Sequence, residues 1–158
     1  MIKTLILGIG SPFGDDRAGW LVVEELEQVP AVREMVAKNL LTLEVADRPG
    51  INLINWLLSD YQKIILIDMV KTNLEIPGSI YKLQASKIIG FSGMLSSHSL
   101  GVSASLALAK ELGINIANVE FWGVEGSVAL PESEVSQAIL TGVSQVSQKI
   151  LADPELHL

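Results

Sequence analysis

Short apolar runs alternate along the chain with longer segments in which apolar residues recur every three or four positions. Two of the runs, Thr4 to Ile9 and Lys63 to Ile67, are almost uninterrupted, which is the pattern of strands buried on both faces of a parallel sheet. Leu40 to Val45, Ser79 to Leu83 and Asn118 to Val124 are similar short runs. The pattern predicts a strand at each of these places.

Helical spacing fills the segments between the predicted strands. After the first strand and a glycine-containing loop, apolar residues recur on one face of a helix that ends near Pro30, and Asp15 or Asp16 can cap its N-terminus. Further helices are predicted over residues 32–38, 51–58 and 98–112, and a last helix is predicted to start near Ser133. Residues 84–97 have no clear pattern, and residues 153–158 are predicted to be a frayed tail.

Strands that alternate with helices indicate an α/β fold in three layers, with a mostly parallel twisted sheet and helices on both faces. No linker, repeat or low-complexity tract divides the chain, so residues 1–158 are interpreted as a single domain. Ligands of such sheets bind beyond the carboxyl ends of the strands. The candidates for chemistry are therefore the residues that follow strand ends: Gly8 to Asp16, Asp47, Asp68 and Glu125.

Composition narrows the classes of function. The formal net charge of −7 argues against nucleic acid as a partner, because binding a phosphate backbone requires clustered Lys and Arg. The chain has no cysteine, so thiol catalysis is excluded and any metal would take oxygen and nitrogen ligands. No apolar run approaches the roughly 20 residues of a membrane span, and no secretory signal is recognisable, so a cytoplasmic protein without membrane contact is expected.

Two carboxylates and one imidazole are the candidate metal ligands. Asp68 ends a strongly apolar strand, where a carboxylate is costly to bury unless it is solvated, hydrogen-bonded or bound to a cation. Asp16 follows the first strand, and His98 opens a predicted helix, whereas the other histidine lies in the tail. Together they would form an open site for a borderline divalent metal. The simpler alternatives are helix caps or loop hydrogen bonds for the acids and a structural role for the histidine.

The common signatures of other enzyme classes are weak or missing. The Gly8 to Gly14 loop resembles a dinucleotide-binding loop, but its last glycine comes one residue late for that fingerprint. Asp47 lies too far along the chain for the usual ribose-binding acid. The chain contains neither a Gly-x-Ser-x-Gly elbow nor a His-Glu-x-x-His helix, so any protease activity must be of an unusual type.

Three segments, taken in order and spacing, resemble the hydrogenase maturation protease family: Gly8-Ile9-Gly10-Ser11 followed by Asp15-Asp16-Arg17-Ala18-Gly19, then Ile67-Asp68, then Ser97-His98-Ser99-Leu100-Gly101. Weaker agreement elsewhere extends the resemblance over nearly the whole chain. The chain also departs from the family pattern. Ser11 stands where asparagine is usual, the first loop is one residue shorter, Arg17 replaces a common glycine, and Gly126 sits where proline is frequent.

The resemblance implies an endopeptidase that removes the C-terminal extension of a hydrogenase large-subunit precursor. It implies that Asp16, Asp68 and His98 are both the catalytic residues and the metal ligands, and that they engage nickel carried by the precursor. No tightly bound cofactor of the enzyme itself is then expected. Two alternatives stay open: a non-catalytic assembly module that binds a divalent metal through the same residues, and a small nucleotide-binding domain.

Overall fold

The computed structural model of the protein describes residues 2–47, 49–90, 97–127 and 134–158, and the side chains of residues 50, 51, 90 and 97–101 lie outside what it describes. Its strands are β1 (Thr4–Gly10), β2 (Leu41–Asp47), β3 (Lys63–Val70), β4 (Ile80–Gln84) and β5 (Val119–Glu125). Its α-helices are α1 (Ala18–Glu27), α2 (Pro30–Ala37), α3 (Ile54–Leu57), α4 (Ala85–Gly90), α5 (Ser97–Glu111) and α6 (Gln137–Leu151). Short 3₁₀ helices cover Gly14–Arg17, Gly50–Leu53 and Pro154–Leu156.

The strands form one sheet in the order β2-β1-β3-β5-β4. β2, β1, β3 and β5 run parallel, and β4 joins antiparallel to β5 at the edge. From β1 the chain moves outward to β2 and then returns to place β3 on the other side of β1, so the strand order reverses between β1 and β3. A reversal of this kind opens a crevice at the carboxyl ends of the two strands, which is where α/β proteins bind ligands.

Helices cover both faces of the sheet, as the alternation of elements predicts. Successive residues of β3 point to opposite faces: Ile65 and Ile67 pack with α1, α2 and α6, whereas Ile64 and Leu66 pack with α3, α4 and α5. Because the central strands are buried on both faces, they consist of continuous apolar residues rather than an alternating pattern. The predicted three-layer α/β fold is therefore confirmed.

The predicted start of the last helix needs correction, and a further helix lies in a segment for which the sequence predicts none. The last helix begins at Gln137 rather than near Ser133, because Ser136 adopts an extended conformation and its hydroxyl accepts the Ile139 N–H at 3.2 Å as an N-cap. The segment that gave no clear pattern contains α4, which is too short to show helical periodicity. Residues 91–96, in the rest of that segment, lie outside the described part of the chain.

The tail is packed against the protein, contrary to the predicted fraying. Leu156 is only 4% exposed and belongs to the core on the α6 face. The Lys63 ammonium at the start of β3 donates to Asp153 at 2.6 Å and also lies 3.5 Å from Glu120 and 3.7 Å from Glu155. A buried leucine and a partly buried ion pair are a sufficient reason for the tail to stay ordered.

The tail leucine is expected to contribute to global stability. Leu156→Ala should lower the free energy of unfolding by about 2–5 kcal/mol, because it removes a fully packed side chain and leaves a cavity. Leu112→Ala, at a leucine that is 62% exposed, is the matched control and should change it by less than about 0.5 kcal/mol. Urea unfolding measures both values. Equal effects of the two substitutions would mean that the tail does not belong to the core.

The ion pair should make the tail's contribution depend on pH. Burial alone would raise the pKa of Asp153, but the hydrogen bond from Lys63 and its positive charge outweigh burial and hold that pKa below the usual 3.8. A depressed pKa means that the stabilisation is present at neutral pH and is lost as the pH falls through the folded-state value. The stability difference between the parent protein and Asp153→Asn should therefore shrink below pH 3.8 in urea titrations. A difference that stays constant with pH would contradict this assignment.

Candidate functional site

The start of α1 packs backbone to backbone against β1 and β3. A Cβ added to Gly19 would meet the carbonyl oxygens of Ile9 and Ile67 well inside the 3.0 Å limit for real Cβ contacts. In return, a Cβ on Gly8 would meet the Gly19 carbonyl, and one on Gly10 would meet the Asp16 carbonyl. The glycines let the helix approach this closely, so they fix the position of the loop that precedes it.

This packing explains the glycines of the first loop without a phosphate. In a dinucleotide-binding loop, glycines leave room for the pyrophosphate to approach the backbone. Here the space beside Gly8 and Gly10 is filled by the protein's own backbone at Gly19 and Asp16. The glycines of the first loop therefore do not support the nucleotide-binding alternative.

Asp16 is half-buried and lies at the carboxyl end of β1. The loop turns at Gly14, whose φ of 52° is in the left-handed region that favours glycine. The Ser11 N–H donates to the Asp16 carbonyl at 3.2 Å, and the Ser11 hydroxyl donates to Asp16 Oδ2 at 3.2 Å. Ser11, at the position where the family pattern has asparagine, thus holds both the backbone and the side chain of Asp16.

Asp68 lies inside the sheet near the carboxyl end of β3. It has no exposed surface, and one of its carboxylate oxygens accepts the Met69 N–H at 2.7 Å. By the alternation along β3, its side chain shares a face with Ile64 and Leu66, and α5 covers that face. Asp16 follows β1 and Asp68 lies near the end of β3, so the two acids belong to the two strands that border the crevice.

His98 lies in the first turn of α5, but its side chain lies outside the described part of the structure. The helix covers the face of the sheet that Asp68 shares. Among the described residues, no group of three or more His, Asp or Glu side chains could hold a metal ion. A three-residue metal site thus depends on His98, and its assembly stays a prediction.

From its sequence position Asp15 could cap α1, but in the structure its carboxylate connects segments that are far apart in the sequence. Its side chain makes no cap hydrogen bond to the short 3₁₀ helix or to α1. Its carboxylate accepts the Ser127 N–H and the Ser136 N–H, each at 2.9 Å, and also the Ser136 hydroxyl at 3.2 Å. Asp15 thereby joins the first loop to the end of β5 and to the start of α6. The bonds connect residues more than 100 positions apart, so local sequence could not indicate them.

Glu125, another candidate from the sequence, anchors a loop. Its carboxylate is 2% exposed and accepts the Thr72 N–H at 2.9 Å, the Thr72 hydroxyl and the Tyr81 hydroxyl at 2.7 Å. Burial raises the pKa of Tyr81, and the Glu125 carboxylate raises it further against the opposing effect of Thr72, so the phenol stays a proton donor. This cluster fixes the chain between β3 and β4. Neither Thr72 nor Tyr81 belongs to a sequence motif, so the sequence does not indicate their hydrogen bonds to Glu125.

Asp47 ends β2, one strand away from the crevice, and its side chain is exposed. The indole N–H of Trp20 donates to the neighbouring Ala46 carbonyl at 3.0 Å, which ties α1 to this edge strand. Arg48, the next residue, lies outside the described residues. The position of Asp47 does not place it beside Asp68.

Comparison with known families decides which class of protein this is. The family model HycI, described as hydrogenase maturation protease, matches residues 21–153. The chain belongs to the hydrogenase maturation protease family. The matched range includes Asp68 and His98 but begins after Asp16, so the family assignment does not depend on the first loop. A search of curated protein sequences finds no significant match.

Solved structures of the family share the fold. The hydrogenase maturating endopeptidase HybD from E. coli is 19% identical with a TM-score of 0.78, and the match covers 96% of this chain and 91% of that one. HybD from Thermococcus kodakarensis, a NiFe hydrogenase maturation protease, is 20% identical with a TM-score of 0.71, and the match covers 96% and 100%. A hydrogenase 2 maturation peptidase from a Thaumarchaeota archaeon is 23% identical with a TM-score of 0.64, and the match covers 98% and 99%.

These findings confirm the predicted family, its fold and its class of enzyme, a protease. No helix in the described ranges has the length and apolar character needed to cross a membrane. The roles of Asp16, Asp68 and His98, the nickel and the cytoplasmic location stay predictions.

The glycine packing around the site can be tested by adding one methyl group. Gly19→Ala should lower the free energy of unfolding by about 3 kcal/mol, because its Cβ would collide with the backbone of β1 and β3. Gly113→Ala is the control, since φ there is +76° but no atom lies within 4 Å of the added Cβ, so only the backbone strain of about 1–2 kcal/mol applies. Urea unfolding compares the two. If Gly19→Ala costs no more than Gly113→Ala, α1 does not pack as tightly as described.

Proposed function

We propose that this family member removes the C-terminal extension of a nickel-loaded hydrogenase large-subunit precursor, and that Asp16, Asp68 and His98 bind the nickel carried by that precursor. The observation that carries the proposal is the position of Asp68. Asp68 has no exposed surface and lies near the carboxyl end of a central apolar strand, beside the reversal of strand order, which is where α/β proteins bind ligands.

The proposed ligands suit the proposed metal. Two carboxylates and an imidazole offer oxygen and nitrogen donors to a borderline divalent ion, and they leave coordination positions for groups of the precursor. Asp16 belongs to a loop held by Ser11 and by the glycine packing, so its carboxylate is positioned before the precursor arrives. The metal belongs to the substrate, and the protease contributes only ligands to it.

Nickel at this place would also favour cleavage of the peptide. A cation close to the scissile bond polarises its carbonyl or lowers the pKa of a bound water. The chain has no cysteine, and its sequence has no Gly-x-Ser-x-Gly elbow, so it lacks the features of common covalent proteases. A metal supplied by the substrate would provide the electrostatic stabilisation and would restrict cleavage to precursors that are already loaded.

Neither alternative explains the observations as well. A non-catalytic assembly module could use the same three residues, but the family match favours a protease. A nucleotide-binding domain would need room at the first loop, and the protein's own backbone occupies that room.

Substituting the proposed ligands tests this function. Asp16→Asn, Asp68→Asn and His98→Gln should each slow processing of a nickel-loaded precursor at least about a hundredfold, because loss of a metal ligand costs more than loss of a group that merely orients one. Intact-mass spectrometry of the precursor over time measures the rate. The amide replacements keep the size of each carboxylate, so the amide oxygen of the Asp68→Asn variant can still accept the Met69 N–H.

The matched control is Asp60→Asn, because Asp60 is an exposed aspartate before β3, at the opposite end of the sheet. It should process the precursor at the parent rate. Circular dichroism and thermal melting establish that each variant is folded. Parent-like processing by all three folded ligand variants would disprove the proposed role of these residues.

A further inference from the structure

Arg17 is a partly buried cation for which the described part of the chain provides no partner. Its Nε lies out of solvent and has no hydrogen-bond acceptor among the described residues, and none of these residues forms an ion pair with its guanidinium. Other basic residues do find partners. Arg33 donates to the Glu27 carbonyl and to Gln28, and Lys63 is surrounded by three acids.

The lack of a partner for Arg17 is unusual for two reasons. A buried donor without an acceptor costs free energy, and the protein has more acidic than basic residues. Burying a donor without an acceptor costs about 1–3 kcal/mol. The chain has 18 acidic residues for 11 basic ones, so an intramolecular carboxylate would be an easy partner for any arginine. None of the described carboxylates pairs with Arg17, so no ion pair within these ranges stabilises the fold through its guanidinium.

The position of Arg17 is set by its neighbours. Asp16 lies immediately before it, against Gly10, and Gly19 lies two residues after it, against the backbone of Ile9 and Ile67. Ile67 directly precedes Asp68. The backbone of Arg17 therefore lies at the border of the crevice between β1 and β3, in the segment that joins Asp16 to α1.

We propose that Arg17 binds a carboxylate of the precursor's C-terminal extension and thereby determines which precursors are processed. This inference rests on the proposed function. A guanidinium presents a planar fork of N–H donors that fits a carboxylate with two parallel hydrogen bonds. In a protein with a net charge of −7, a cation at the site that no described acid neutralises is also the place where an acidic peptide group is held rather than repelled.

Kinetics separate this role from catalysis. With a nickel-loaded precursor, Arg17→Gln should raise KM about tenfold, the change expected for loss of one charge-assisted interaction, and should change kcat by less than about twofold. Arg17→Lys should lie between, because it keeps the charge but loses the fork. Arg33→Gln, at an exposed arginine on α2, is the matched control and should leave both constants unchanged.

Thermal melting separates this role from a structural one. Because the guanidinium has no partner among the described residues, Arg17→Gln should melt within about 2 °C of the parent protein or above it. A fall of more than about 5 °C would show that Arg17 supports the fold, and it would overturn the inference.

The source of the carboxylate is identified by changing the precursor. One set of precursors carries an amide in place of each acidic side chain of the extension, and another carries a C-terminal amide made by semisynthesis. The change that removes the bound carboxylate should raise KM for the parent enzyme and have no further effect on Arg17→Gln. If the parent enzyme cleaves the precursor but Arg17→Gln has the same KM, the inference is wrong while the proposed function stands. If the parent enzyme cleaves no loaded precursor, both fail.

Discussion

The close approach of α1 to the backbones of β1 and β3 is the contact on which the rest of the site depends. Gly8, Gly10 and Gly19 allow it, because any side chain at these positions would collide with a carbonyl oxygen. The contact puts the first loop over the carboxyl ends of the two strands between which the strand order reverses. Asp16 and Asp68 are neighbours of this contact, so the same backbone packing positions both of them.

Two further groups of hydrogen bonds connect the segments at the carboxyl ends of the strands. Asp15 joins the first loop to the end of β5 and the start of α6, and Glu125 holds the chain between β3 and β4. Both carboxylates are buried and have their hydrogen bonds satisfied within the protein, as buried acids require. Asp15 and Glu125 therefore have structural roles. Asp16 and Asp68, which also have interactions within the protein, remain candidates for binding the precursor's metal.

The sequence was sufficient to predict the sheet because the central strands are buried on both faces, and short continuous apolar runs such as Lys63 to Ile67 are typical of such strands. It was less reliable where an element depends on partners far along the chain. The start of α6 is fixed by Ser136 and Asp15, and the tail is fixed by Lys63 and the core around Leu156. The periodicity within a segment cannot indicate contacts with residues far along the chain.

The candidate site also contains residues that the sequence indicates and residues whose roles only the structure shows. Asp68 could be found from sequence because a carboxylate at the end of an apolar strand is unusual, whereas the task of Asp15 depended on Ser127 and Ser136, more than 100 residues away. The glycines of the first loop suggest a phosphate site from the sequence, but the structure shows that the backbone at Gly19 and Asp16 fills the space beside Gly8 and Gly10. Arg17 was visible as a departure from the family pattern, and the lack of a partner among the described residues could be seen only once burial was known.

The central claim is that this protease recognises nickel held by its substrate. The most direct test incubates the protein with one hydrogenase large-subunit precursor in matched nickel-loaded and nickel-free forms and follows both by intact-mass spectrometry. Only the loaded form should lose a C-terminal peptide. Cleavage of both forms at the same rate would contradict it.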